Sequence, residues 1–126
     1  LDEDRSKVFG LNTVDFNKTV YVTEGPFDSL FIDNAIAMAG ADIDWDLLEG
    51  KDVVFVFDNE KRNKEIVDRM MRAIQKGYDA VIWPPNLKEK DLNDMYVTGQ
   101  DVQSLVEFNT YEGLEAQVKL TEWKKV

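Results

Sequence analysis

The chain reads as an α/β domain with about four parallel strands flanked by helices, and three observations predict it. Strand-like and helix-like stretches alternate four times along the sequence, a pattern that implies a parallel sheet with right-handed crossovers. Val53-Val54-Phe55-Val56-Phe57 is apolar at every position, as expected of a parallel strand covered on both faces. Val20-Tyr21-Val22-Thr23 is a run of β-formers that gives way at Gly25-Pro26 to apolar residues at helical spacing, Phe27, Leu30, Phe31 and Ala35. That switch is the mark of a strand, a tight turn and a helix, with proline in the first helical turn, where its missing N–H is no loss.

The elements follow in order. Residues 1–18 are polar and irregular and read as an entry arm, a linker to a domain beyond this sequence. Within it Val8-Phe9-Gly10-Leu11 reads either as a short strand or as a packed turn. Thr19–Thr23 is the first strand and Pro26–Asn34 the first helix. Ile36-Ala37-Met38-Ala39, punctuated by Asn34 before it and Gly40 after it, is the second strand. Asp44–Glu49 is a short helix with Asp44 as N-cap and Gly50 as its stop. After the strand at Val53–Phe57, Asn63–Lys76 is a helix whose inner face carries Ile66, Met70 and Ile74, and Gly77 ends it. Ala80–Trp83 is the fourth strand, stopped by Pro84-Pro85. A helix begins at Asp91 and closes at Thr98-Gly99, and two further helices cover 100–107 and 112–123. The expected organisation is an arm over 1–18, a domain over 19–99 and a C-terminal helical extension over 100–126. Phe27, Phe31, Trp45 and Trp83 are assigned to the core or its edge.

Composition narrows the chemistry. The 126 residues suffice for one ordinary domain, and 44% hydrophobic content favours folding over disorder. There is no Cys and no His, which excludes disulfides, thiol nucleophiles, Cys/His zinc sites and any Ser-His or Cys-His catalytic pair within the chain. A metal here must take oxygen ligands, which favours Mg²⁺, Mn²⁺ or Ca²⁺. No apolar run approaches the roughly 18 residues of a membrane span, and no signal peptide is visible, so the expected setting is the cytoplasm, with no membrane partner. The first residue is Leu rather than Met, consistent with an excised piece of a longer protein. The net charge of −10 argues against strong non-specific nucleic-acid binding by this surface alone. Either the acids concentrate at a metal site, or basic surface comes from other domains or subunits.

The acids are not scattered. Glu24 lies at the carboxyl end of the first strand, and Asp28 four residues on, in the first helical turn. Asp58 and Glu60 end the most apolar strand in the same way. Open α/β sheets bind ligands in the crevice outside such strand ends. Extended backbone alternation would aim both carboxylates of Asp58-Asn59-Glu60 to one side. Four carboxylates gathered in one crevice oppose joint ionisation, and a hard divalent cation is the natural remedy. Phosphoryl transfer is then the leading class of chemistry. Against this, Asp28 reads equally as a carboxylate complementing the helix dipole.

Val22-Thr23-Glu24-Gly25-Pro26-Phe27-Asp28, together with Val56-Phe57-Asp58-Asn59-Glu60, resembles the Toprim domain of bacterial-type primases, type IA and type II topoisomerases and some nucleases. The resemblance runs from about Thr19 to Gly99 and implies a Toprim fold, which is Rossmann-like. In that family a Glu and an Asp-x-Asp pair form the Mg²⁺ site; here those roles fall on Glu24, Asp58 and Glu60, with Glu60 one methylene longer than the usual Asp. Lys90-Asp91-Leu92-Asn93-Asp94 is similar to a Lys-Asp-Pro-Asp-like segment of primases, with Asn93 in place of the second acid. Phe57-Asp58-Asn59-Glu60, Arg62-Asn63 and Ile82-Trp83-Pro84-Pro85 resemble tailed-phage primases in particular.

The resemblance implies Mg²⁺- or Mn²⁺-dependent nucleotidyl transfer, making RNA primers on a single-stranded DNA template from ribonucleotides. Glu24, Asp58 and Glu60 would be catalytic, with Asp28 joining them as metal ligand. Glu24 would act either as general base on the attacking 3′-hydroxyl or as a metal ligand. Gly25 would let the backbone pass close to a metal or phosphate, or is simply a turn. Lys61, Arg62, Lys64 and Lys90 would contact phosphates, or form a solvated surface. Asp91 would join the site or cap its helix. Expected partners are a replicative helicase and a separate zinc-binding domain, and the setting of a phage-encoded protein would be the host cytoplasm. The alternatives are a Toprim nuclease, a topoisomerase module, for which Tyr21, Tyr78, Tyr96 and Tyr111 lack a recognisable motif, and a non-catalytic module of the same fold.

Overall fold

The computed structural model describes residues 8–38 and 43–125. Among the described residues the sheet carries six strands rather than about four, and it is mixed rather than wholly parallel. Its strands are β1 (Val8–Phe9), β2 (Val20–Thr23), β3 (Ala35–Met38), β4 (Val53–Val56), β5 (Asp79–Val81) and β6 (Thr110–Tyr111), in the spatial order β1-β3-β2-β4-β5-β6. The pairs β3·β2, β2·β4 and β4·β5 are parallel, whereas β1 and β6 run antiparallel along the two edges. Both edge strands span two residues, too short to show a period of two in the sequence. The Val8–Phe9 stretch is therefore a strand rather than a packed turn. Residues 10–18 follow β1 as irregular chain held against the domain: Val14 and Phe16 pack on the core, and Asn34 donates to the carbonyls of Asp15 and Thr19. Asn34 has φ 55, a left-handed conformation that Asn tolerates better than most residues. The first part of the arm, Ala39 and Gly40 at the end of the second strand, and Val126 fall outside the described residues.

The helices are α1 (Pro26–Ser29), α2 (Trp45–Leu48), α3 (Lys64–Gln75), α4 (Leu92–Val97), α5 (Val102–Phe108) and α6 (Gly113–Lys125). Four of the starts are fixed by side-chain caps: Asp44, Asn63, Asp91 and Asp101 each accept from backbone N–H groups of the following turn. Helix α1 is one turn long instead of the expected nine residues. Its short reach leaves Phe27 78% exposed, so Phe27 is not a core residue. Phe31 is half-buried against Tyr96, with ring centroids 5.0 Å apart. Trp45 is half-buried beside Phe55, and Trp83 is fully buried.

The core is the two-sided packing of β2, β4 and β5. Val53 to Phe57 are all buried, as the unbroken apolar run requires. Helix α3 covers one face with Ile66, Met70, Ala73 and Ile74, and α6 adds Ala116, Leu120 and Trp123. Residues 100–126 therefore supply an edge strand as well as helices, and α6 packs on α3, β5 and β6.

Candidate functional site

Strand order decides where the acids meet. From β2 the chain steps to β3 on one side, then crosses back to β4 on the other. The sheet therefore has its topological switch point between β2 and β4, where open α/β sheets form a crevice at the strands' carboxyl ends. The two strands are in register, Thr23 opposite Val56, so the residues that follow them lie side by side. Glu24 Oε1 accepts a hydrogen bond from the Asp58 backbone N–H at 3.2 Å. Thr23 pins the turn after β2 by donating its hydroxyl to the Gly25 carbonyl.

Around this pair the other acids close in. Burial pushes the Asp58 carboxyl from an ordinary 3.8 up to about 7, helped in turn by Glu24, Asp28, Asp91 and Glu60. Burial likewise pushes Asp28 up to about 6, helped by Asp91 and Glu24 and partly offset by a hydrogen bond from the Asn93 backbone. Asp91 caps α4, accepting from Asp94 N–H at 2.8 Å, and its charge acts on Asp28 and Asp58. Glu24, Asp28, Asp58 and Asp91 thus share one electrostatic environment at the switch point.

Glu60 is held differently. The expected extended geometry does not occur, because the Glu60 N–H donates to the Asp58 carbonyl at 2.8 Å and folds residues 58–60 into a three-residue turn. Glu60 faces Lys90, Nζ to Oε1 3.6 Å, and acts on Asp58 more weakly than the other three acids. Lys90 is thus an ion-pair partner within the site. Lys61 is partly exposed, and Arg62 and Lys64 are exposed, at the turn into α3. Gly25 has φ −108, open to any residue. A Cβ there would meet only Asp28 Oδ2, at 3.7 Å, an ordinary contact, so neither the backbone nor the space around it demands a glycine.

Two residues of the site escaped sequence reasoning. Arg69, on α3, forms an ion pair with Glu24 (Nη1 to Oε2, 3.2 Å) and a longer one with Glu65 at 3.9 Å. Its signal was slight: one cation on the polar face of the helix that follows the Asp-x-Glu turn. Asn59 looked like a spacer between two acids, yet it ties that turn to residues 87–90 and to α6.

Carboxylate oxygen is the donor type that a hard divalent cation takes. All candidate ligands are carboxylate oxygens, and burial, with the neighbouring acids after it, makes Asp58 and Asp28 resist ionisation. Among the described residues, no three acids are already gathered as a cage. The reason is visible: Glu24 is engaged by Asp58 N–H and Arg69, and Glu60 by Lys90. Magnesium needs only one or two carboxylates, completed by water and phosphate oxygens.

Fold and site together define an α/β protein with a cluster of acids at its switch point. No protein-family model matches the chain. The chain is similar to the DNA primase of Enterobacteria phage T4, 34% identical over an aligned length of 129 residues. The alignment covers 98% of this chain and 37% of that primase, so the chain spans well under half of its relative's length. The relationship is primase-like across nearly the whole sequence. Among the described residues no helix is long and apolar enough to cross a membrane.

Proposed function

We infer that this chain is the Toprim catalytic part of a phage-type DNA primase, which makes RNA primers on single-stranded DNA from ribonucleotides. The observation that carries the reading is the hydrogen bond from Asp58 N–H to the Glu24 carboxylate, which joins the ends of two neighbouring parallel strands at the switch point. The similarity to a phage DNA primase supports it. Glu24, Asp58 and Glu60, with Asp28, would hold Mg²⁺ or Mn²⁺, which when bound supplies positive charge to phosphate oxygens. Glu24 would alternatively take the proton of an attacking 3′-hydroxyl. Lys61, Arg62 and Lys64 would meet template or nucleotide phosphates, offsetting the net charge of −10. Lys90 would exchange Glu60 for a phosphate. A zinc-binding domain and a replicative helicase would complete the machinery, in the cytoplasm of the host.

Primer synthesis from labelled ribonucleotides on single-stranded DNA by the full-length protein tests this. Wild type is expected to make short RNA products that need Mg²⁺ or Mn²⁺. Glu24→Gln is expected to lower the rate by roughly 10²–10⁴-fold, the usual range for a lost acid–base group. Metal-dependent strand cleavage without primer synthesis would replace this reading with a Toprim nuclease.

A further inference from the structure

Asn59 sits between the two acids of the β4 turn and spends every polar atom of its side chain elsewhere. Its Nδ2 donates to the carbonyls of Leu87 and Glu89, both at 2.9 Å. Those carbonyls are two residues apart, the spacing at which an extended chain turns successive oxygens to the same side. Its backbone N–H donates to the Lys90 carbonyl at 2.6 Å. Its Oδ1 accepts from the indole N–H of Trp123, near the end of α6, at 3.3 Å. One side chain thus fastens the 58–60 turn to the segment that delivers Lys90 and Asp91, and fastens both to the C-terminal helix.

A second indole grips the same turn from the other side. Trp83 Nε1 donates to the Phe57 carbonyl at 2.9 Å. The residues immediately before and after Asp58 are therefore both held by tryptophans, one from the strand end of β5 and one from α6. A cavity of about 250 Å³, bounded in part by Trp83, Pro84, Pro85 and Trp123, opens beside them. The Trp123–Asn59 hydrogen bond crosses beside this cavity and links α6 to the 58–60 turn.

We propose that Asn59 is a positioning residue for the acidic site and Trp123 its latch, so that the seating of α6 sets how tightly the Asp58 and Glu60 carboxylates take up a divalent cation. The inference rests on the metal reading of those acids given above. Groups that orient metal ligands without touching the metal commonly matter by 10–100-fold in affinity, which sets the scale expected here.

The test is Mn²⁺ affinity of the full-length protein, followed by electron paramagnetic resonance, beside the melting temperature. Trp123→Phe keeps an aromatic ring, though a smaller one, and removes the indole donor; Asn59→Ala removes all three side-chain bonds. Ile74→Val, in α3 and outside the network, serves as a control for a general loss of stability. Asn59→Ala is expected to weaken Mn²⁺ binding about tenfold or more. Trp123→Phe is expected to weaken it severalfold, and Ile74→Val not at all. Excess Mn²⁺ should restore primer synthesis in Trp123→Phe, because the acids themselves are intact. Unchanged affinity in both latch variants, with wild type binding normally, would overturn the latch and leave the metal reading standing. An equal loss in Ile74→Val would overturn it as a mere effect of stability. No Mn²⁺ uptake by wild type would overturn the metal reading and the latch with it.

Discussion

With burial and its acidic neighbours holding Asp58 at about 7, and Asp28 at about 6, the metal-free fold works against its own site. Each carboxyl binds its proton more tightly folded than unfolded. Stability from these groups is therefore present at the low end of the window between roughly pH 4 and 7, and is lost as pH rises through the folded values. The melting temperature of the metal-free protein is expected to fall between pH 5 and pH 8. Asp58→Asn is expected to flatten that fall and to melt higher than wild type at pH 8. Arg69 is the cation the site keeps for itself. Its ion pair with Glu24 is partly exposed and so contributes little to stability. Arg69→Gln is expected to tighten Mn²⁺ binding severalfold, measured by calorimetry, because the guanidinium no longer competes for Glu24. Unchanged or weaker binding would mean that Arg69 orients Glu24 instead. The acids were legible in the sequence because strand ends advertise themselves; Arg69 and Asn59 were not, since their partners lie 45 and 28–64 residues away.

At the scale of elements, the sequence spoke most clearly where burial was complete. Val53–Val56 is a strand covered on both faces, and Lys64–Gln75 is a helix with one apolar stripe and an Asn63 cap. It misled where tertiary contacts override local pattern. Phe27, Leu30 and Phe31 have helical spacing, yet α1 stops after Ser29, and Phe27 and Leu30 stay exposed. The 58–60 turn is the sharper case. An extended run would have aimed Asp58 and Glu60 together, but Asn59 is drawn toward the carbonyls of 87 and 89 and bends the backbone. The bend sets Glu60 beside Lys90 while its charge still acts on Asp58.

For the whole molecule, the boundary at residue 99 cuts through a working sheet. Thr110–Tyr111 pairs with β5, the Ile82 N–H donates to the Asn109 carbonyl, and α6 buries Leu120 and Trp123. A chain ending at residue 99 would expose the β5 edge, and unpaired edges of apolar strands associate. It is expected to aggregate or to lose its cooperative melt, whereas the chain through residue 125 melts in one transition; light scattering and calorimetry check this. A monomeric, cooperatively melting 1–99 fragment would show that the last fifth of the chain is an accessory. The strand order itself was not legible, because a topological switch is a fact about non-neighbouring segments. It is nonetheless what brings Glu24 to Asp58. The central claim is that acids from β2 and β4 share one cation at that switch. Calorimetric titration of Mn²⁺ into wild type, Glu24→Gln and Asp58→Asn measures it most directly. The account predicts saturable uptake by wild type that each substitution weakens by about tenfold or more while the fold persists. Equal uptake by all three proteins, or none by wild type, would contradict it.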